Sequence, residues 1–252
     1  WTARPTRSSM RPTASRKAVS PIKMQGYIVK KYTSKYIDYS NKVINVMLMP
    51  CISKKEEILD SDDIDYVITT RELLYLINEA NIDVENIATS DFDKLAGNAS
   101  SAGIIFGTSG GVLEAVLRST YYFMNNKEMP MELLNQNLNN DLLFFENTYD
   151  MGKMKINVAK VSTMAELQKI DIHKYHLIEV MACPGGCING GGQPLYANNE
   201  ADIKRNEKCN LLVDIDKKSN FRNSHRSKEI KDIYSYDVGI PGGKNSHKKL
   251  HD

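Results

Sequence analysis

Four cysteines occur in 252 residues, and two of them, Cys183 and Cys187, enclose a Pro-Gly-Gly turn that continues as Ile-Asn-Gly-Gly-Gly. Four thiols in so long a chain are too few for a secreted disulfide scaffold, so the Cys183–Cys187 spacing points to metal. Thiolates are the ligands of iron–sulfur clusters, and a cubane normally takes four. Gly185, Gly186, Gly190, Gly191 and Gly192 let the backbone pass close to a bulky inorganic cluster and offer amide donors to its sulfides. Zinc is the nearer rival, but zinc sites commonly space their cysteines more closely, and no matching Cys or His pair lies nearby. Cys51 taken alone reads as a buried thiol, because free cysteine is among the most buried residue types. Cys209 falls in a polar stretch and reads as incidental.

The elements that must position these thiols alternate between strand and helix. Val43–Met49 is a nearly continuous apolar run, expected to be a buried strand that ends at Pro50-Cys51. Tyr66–Ile68 is a second candidate strand. Thr69 and Glu72 then have the spacing of a capping box that opens a helix, with Leu73, Leu74, Leu76 and Ile77 as its apolar face. Ile104–Phe106, Gly107–Gly111 and the run from Val112 to about Phe123 read as strand, glycine turn and helix. Residues 125–150 are poorly patterned. Ile156–Val161 reads as a strand, Met164–Ile170 as a short helix, and Leu177–Met181 as a strand running straight into Ala182-Cys183. Residues 198–226 are polar, with a helix or two, and Ile240–Gly243 marks a loop. This alternation implies an α/β fold with largely parallel pairing. In such sheets the carboxyl ends of strands edge the binding crevice, so Cys51 and Cys183 can converge there.

Composition narrows the partners. Hydrophobic residues make up 41% and charged residues 25%, and the net charge is +2, ordinary values for a globular protein. Past residue 30 the basic residues are interleaved with acids, so nothing marks a nucleic-acid stripe. No apolar run approaches the roughly 18 residues that cross a bilayer. Residues 1–20 carry five basic residues and no acid, and read as a flexible basic segment distinct from the rest. They do not choose between the cytoplasm and a mitochondrion-like organelle.

Met49-Pro50-Cys51-Ile52-Ser53-Lys54-Lys55-Glu56-Glu57 resembles the second signature of iron-only hydrogenases, and the run from Glu179 to Pro194, with Cys183 and Cys187, resembles the third. IDYVITTREL at 64–73, IFGTSGGVLEAVLR at 105–118 and SHKKLH at 246–251 are similar to the same family. The resemblance covers residues 21–252, which it implies are a catalytic domain: α/β, the larger part of a two-lobed structure with mostly parallel twisted sheets flanked by helices.

The resemblance further implies a 4Fe-4S cubane cluster joined through one cysteine sulfur to a di-iron subcluster bearing CO, cyanide and a bridging dithiolate. Cys51 and Cys183 would ligate the cubane and Cys187 would bridge. Lys54 would donate to a cyanide, a charge-assisted contact of the kind that tunes a metal. Met49, Phe106 and Met181 would pack around the di-iron unit, with Pro50 and Ser53 on the loop beside the cyanides. Glu57 completes the second signature. The expected partners are a ferredoxin-like electron donor and hydrogenase maturation proteins. The chain departs from the family at the front: the Thr-Ser-Cys-Cys-Pro-x-Trp signature is absent and no cysteine precedes Cys51. A partial chain is therefore expected. An iron–sulfur assembly protein of the same superfamily, or a non-catalytic remnant, is the alternative.

Overall fold

The computed structural model describes residues 20–32, 43–59, 61–93, 99–136, 138, 143–241 and 243–250. Of the basic segment 1–20, all but Ser20 lies outside these residues.

A first helix, α1 (Pro21–Tyr32), starts on a proline and ends on Lys30 and Lys31, which suits the free amides at one end and the negative dipole at the other. Its Ile22 packs with Met47, Ile64 and Val67 beneath a small sheet. That sheet is β1 (Val46–Met49) paired in parallel with β2 (Tyr66–Thr69), in register Val46 with Tyr66 and Met49 with Thr69. Between them lies α2 (Ser53–Glu57). The buried strand expected over Val43–Met49 is thus shorter and only half covered: Met47 points into the core while Val46 and Leu48 are each 49% exposed. Apolar character on both faces of the run reflects what the strand could bury, not what covers it here.

The capping box is present, and α3 (Thr70–Glu79) opens on it. Thr69 Oγ1 accepts from the Glu72 amide at 3.3 Å and Glu72 Oε2 accepts from the Thr69 amide at 2.8 Å. Of its expected apolar face, Leu73 and Ile77, one helical turn apart, are half-buried, while Leu74 and Leu76 are exposed.

Ile104–Phe106 is helical and not a strand. It spans the end of α4 (Ser101–Ile104) and a tight turn, Ile105–Gly107, before α5 (Gly111–Asn125). Three apolar residues carry no period that separates strand from buried helix. In the stretch without clear pattern lies β3 (Phe144–Asp150). It is antiparallel to β4 (Lys155–Ser162), which pairs in parallel with β5 (Leu177–Met181). Only Tyr149 of β3 is buried, so the strand lacks the apolar run that would have marked it. The α/β class stands, with one antiparallel edge strand. α5 covers this sheet through Leu113, Leu117 and Tyr121, against Tyr149, Ile156 and Val158. A short helix, α6 (Met164–Leu167), follows β4.

The polar stretch forms one long helix, α7 (Asn198–Lys218), followed by α8 (Lys228–Ile233) and α9 (Lys244–Leu250). Cys209 and Val213 lie on the inner face of α7, against Ile105, Leu138 and Ile188, so Cys209 is a core residue and not an incidental one. Beside it Arg118, on α5, is buried between Glu114 and Asp216, at 3.1 Å and 2.9 Å. Ser101 and Arg222 complete the bonding of Asp216. This ionic network joins α4, α5 and α7. Among the described residues no helix is long and apolar enough to cross a membrane.

Candidate metal centre

Cys51 lies two residues past β1 and Cys183 two residues past β5, so the site forms where the carboxyl ends of two separate sheets meet. The loop Cys183–Gln193 bridges them. Gly192 donates its amide to the Pro50 carbonyl at 2.9 Å, the Arg71 amide donates to the Gly192 carbonyl at 3.1 Å, and Arg71 Nη2 donates to the Gly191 carbonyl at 2.7 Å. On its other side the Ser109 amide donates to the Gly185 carbonyl at 3.1 Å.

Glycine is required at two of these positions for different reasons. Gly186 has φ +89, and a Cβ there would lie 2.5 Å from the Ser109 nitrogen, so both conformation and space exclude a side chain. Gly190 has an ordinary φ of −68, but a Cβ would meet the Pro50 oxygen at 2.3 Å. The loop is therefore pressed against both β1 and the turn before α5.

Charge from neighbouring thiols reaches Cys183 and Cys187. Burial pushes the Cys183 thiol up, and the Cys51 charge adds to this, opposed by the Gly191 amide. Burial pushes the Cys187 thiol up as well, with further contributions from Cys51, Cys183 and Glu179, while the Lys54 cation works against them. Among the described residues no group of three or more His, Cys, Asp or Glu side chains is close enough to hold a single metal ion. Cys187 feels both other thiols, and Cys183 feels Cys51.

Lys54, on α2, forms an ion pair with Glu57 while its field reaches Cys187. Pro50 is half-buried and carries the carbonyl that anchors Gly192; Ser53 is exposed at the start of α2. Met49 packs on the core under β1 and β2. Phe106 is half-buried in the turn before α5, and Met181 is half-buried at the end of β5, where its carbonyl accepts from the Thr163 amide at 2.7 Å. The structure thus joins Pro50, Cys51, Lys54, Cys183 and Cys187 into one neighbourhood, with Met49 turned toward the core.

Three residues escape a reading by sequence. Ser109 Oγ is buried at the loop and has no hydrogen-bond partner among the described residues. Arg205, on α7, lies against Gly185, and its buried Nε is likewise unpartnered there. Glu179 is the buried member of β5, its carboxylate accepting from the amides of Gly110 at 2.5 Å and Leu113 at 2.7 Å. A charged residue inside the apolar run Leu-Ile-Glu-Val-Met was the available signal for the last; nothing local marks the other two.

Comparison with known proteins agrees with this geometry. Residues 9–191 match the family model of the iron-only hydrogenase large subunit, C-terminal domain, and residues 202–251 match that of the iron hydrogenase small subunit. The chain belongs to the iron-only hydrogenase large-subunit family. It is 37% identical over 254 residues to iron hydrogenase 1 of Clostridium pasteurianum, covering 93% of this chain and 43% of that protein. It is 32% identical over 200 residues to the cytosolic Fe-S cluster assembly factor narfl of Xenopus tropicalis, covering 69% of this chain and 40% of that one. A solved structure on stepwise FeFe-hydrogenase H-cluster assembly superposes with a TM-score of 0.71 at 28% identity, covering 93% of this chain and 68% of that one. The chain spans less than half the length of these two curated relatives.

Proposed function

We propose that residues 21–252 act as the cluster-holding catalytic unit of an iron-only hydrogenase, reversibly reducing protons to dihydrogen with electrons from a ferredoxin-like donor. The observation that carries this is the meeting of two sheets' cysteines at one glycine loop, where the loop of Cys183 and Cys187 is bonded through the Gly192 amide to the Pro50 carbonyl next to Cys51. The donor set fits an iron–sulfur body. Soft thiolates suit it, the loop leaves no room for side chains at Gly186 and Gly190, and Ser109 Oγ and Arg205 Nε are buried polar groups beside the loop that lack partners among the described residues.

In this reading Cys51 and Cys183 would hold a 4Fe-4S cubane, and Cys187 would hold the di-iron unit with its CO, cyanide and dithiolate. When bound, the group supplies the redox chemistry that joins two protons and two electrons as dihydrogen. The chain's own residues prepare the place. Lys54 directs a cation at the centre, where it favours anionic ligands. Pro50 holds the loop through Gly192, Ser53 follows at the start of α2, and Phe106 and Met181 offer the apolar surface that keeps water out, while Met49 packs on the core beneath β1 and β2. Loading would need hydrogenase maturation proteins.

A second reading, iron–sulfur cluster assembly, is favoured by the likeness to narfl, which is confined to 69% of the chain against 93% for the hydrogenase relative. One experiment separates them. The chain is joined behind the upstream part of the Clostridium relative, expressed anaerobically with maturation proteins, and assayed for hydrogen evolution and for infrared bands of CO and cyanide. Hydrogen and both sets of bands are expected. A cubane without those bands would favour assembly, and no iron at all would overturn both readings.

A further inference from the structure

Glu179 occupies the inward position of β5 and is 8% exposed. Directly opposite it on β4 is Lys160, 2% exposed. Two charged residues facing each other in the interior of a sheet are held there only if their charges and hydrogen bonds are met. The Glu179 carboxylate accepts on both oxygens from backbone N–H donors, Gly110 on one and Leu113 on the other. These are amides at the start of α5, left free by helix geometry and carrying its positive dipole end. Burial pushes the carboxyl pKa up, against the Gly110 and Leu113 amides and the Lys160 charge, which favour the anion.

The bonds close a ring. Glu179 binds the start of α5; one residue before Gly110, the Ser109 amide binds the Gly185 carbonyl; and Gly185 leads back through Cys183 to β5. Cys183 lies within that ring, and Cys187 follows two residues past Gly185, where the ring closes. Glu179 also stands on the strand that runs directly into Cys183.

We propose that Glu179 is a positioning residue for the metal centre: its carboxylate locks the start of α5 to β5, thereby fixing the Cys183–Cys187 turn, and keeps a negative charge on the strand that enters Cys183. The second half of this statement rests on the reading of the site as an iron–sulfur centre; the first does not. A fixed anion near a cluster opposes the arrival of an electron, so Glu179 holds the centre's potential down.

The test uses the 252-residue chain, with and without iron, sulfide and a small thiol. In the metal-free protein, Glu179→Gln keeps one acceptor, loses the charge and turns an N–H toward an N–H. Hydrogen exchange at the Gly110 and Leu113 amides should then quicken by about tenfold or more, as expected for loss of a bond to a charged group. In the loaded protein the cubane midpoint potential of E179Q should move to a more positive value. Glu179→Asp keeps the charge on a shorter arm, so it should restore the potential but not the amide protection, and it serves for both readouts if E179Q does not fold. Unchanged exchange at both amides, or an unchanged potential in E179Q, would overturn the proposal. A wild-type chain that takes up no iron would sink the reading of the site as an iron–sulfur centre, and with it the electrostatic half, while the exchange measurement still decides the lock.

Discussion

The Gly192 amide and the Pro50 carbonyl meet at 2.9 Å, and this single bond ties the cysteine loop of one sheet to the cysteine turn of the other. A Cβ on Gly192 would stand 3.0 Å from the Pro50 carbonyl carbon and 2.9 Å from the Thr69 Cβ. The ends of β1, β2 and β5 are thus held in contact by residues that carry no side chain.

Gly190→Ala tests that packing. The new Cβ would lie 2.3 Å from the Pro50 oxygen, whereas at Gly191 the nearest atom is the Ile52 Cδ1 at 3.5 Å. Forced overpacking costs roughly 1–3 kcal/mol. Gly190→Ala should lower the melting temperature by several degrees and abolish iron uptake. Gly191→Ala should do neither, because its Cβ makes ordinary contact. Equal iron content in the two variants would refute the steric account.

Lys54→Met removes the cation near Cys187 but retains most of the side-chain length. The Lys54–Glu57 pair is partly exposed, and such pairs contribute about 0–1 kcal/mol. Stability should therefore be unchanged, while di-iron retention or turnover falls. Full hydrogen evolution by this variant in the joined protein would assign Lys54 to the surface.

How much of this was legible in the sequence depends on range. Thr69 and Glu72 announced their capping box because both partners lie within one turn. The cysteines and glycines of residues 183–192 announced a metal loop because their chemistry is local. The burial of Cys209, the cover on Val46 and Leu48, and the helical state of Ile104–Phe106 depend on distant segments, and short apolar runs do not encode them. Edge strand β3 was lost for the opposite reason: a strand with one buried residue, Tyr149, has no pattern to read. Glu179 stood in plain view, but its partners Gly110 and Leu113 become neighbours only once α5 packs on β5.

The Arg118 network gives a pH dependence with a definite sign. Burial alone would raise the Asp216 pKa, but bonds from Arg118, Arg222 and Ser101 hold it at about 2, below its ordinary 3.8. A depressed carboxylate contributes stability that is present above the unfolded value and lost as pH falls through the folded one. The shift corresponds to about 2 kcal/mol, so denaturant midpoints should decline between pH 4 and 2. Glu114 runs the other way: burial raises its pKa, so its contribution is lost as pH rises. Asp216→Asn should remove most of the acid-limb slope and, by leaving Arg118 buried with one anion fewer, destabilise the fold by roughly 3–5 kcal/mol at neutral pH. An acid limb identical to wild type in the Asn variant would show that other carboxylates control it.

The last prediction concerns thiol number at the metal centre. Cys51, Cys183 and Cys187 are the three thiols gathered there, and a cubane normally takes four. Cys209 is not a substitute, because it is packed among Ile105, Leu138, Ile188 and Val213 on the inner face of α7. Reconstituted anaerobically with iron and sulfide, residues 1–252 alone should hold a labile, substoichiometric cluster and evolve no appreciable hydrogen. A small thiol added in excess should raise iron and sulfide content by filling the open iron site. Cys187→Ala should lose the cluster even with that thiol present, whereas Cys209→Ala should load like wild type. If Cys209→Ala loses its cluster instead, the fourth ligand comes from α7, and the packing that buries this thiol must open when iron binds. If the unmodified chain takes up a full cubane without added thiol and Cys209→Ala does too, a ligand other than cysteine completes the site.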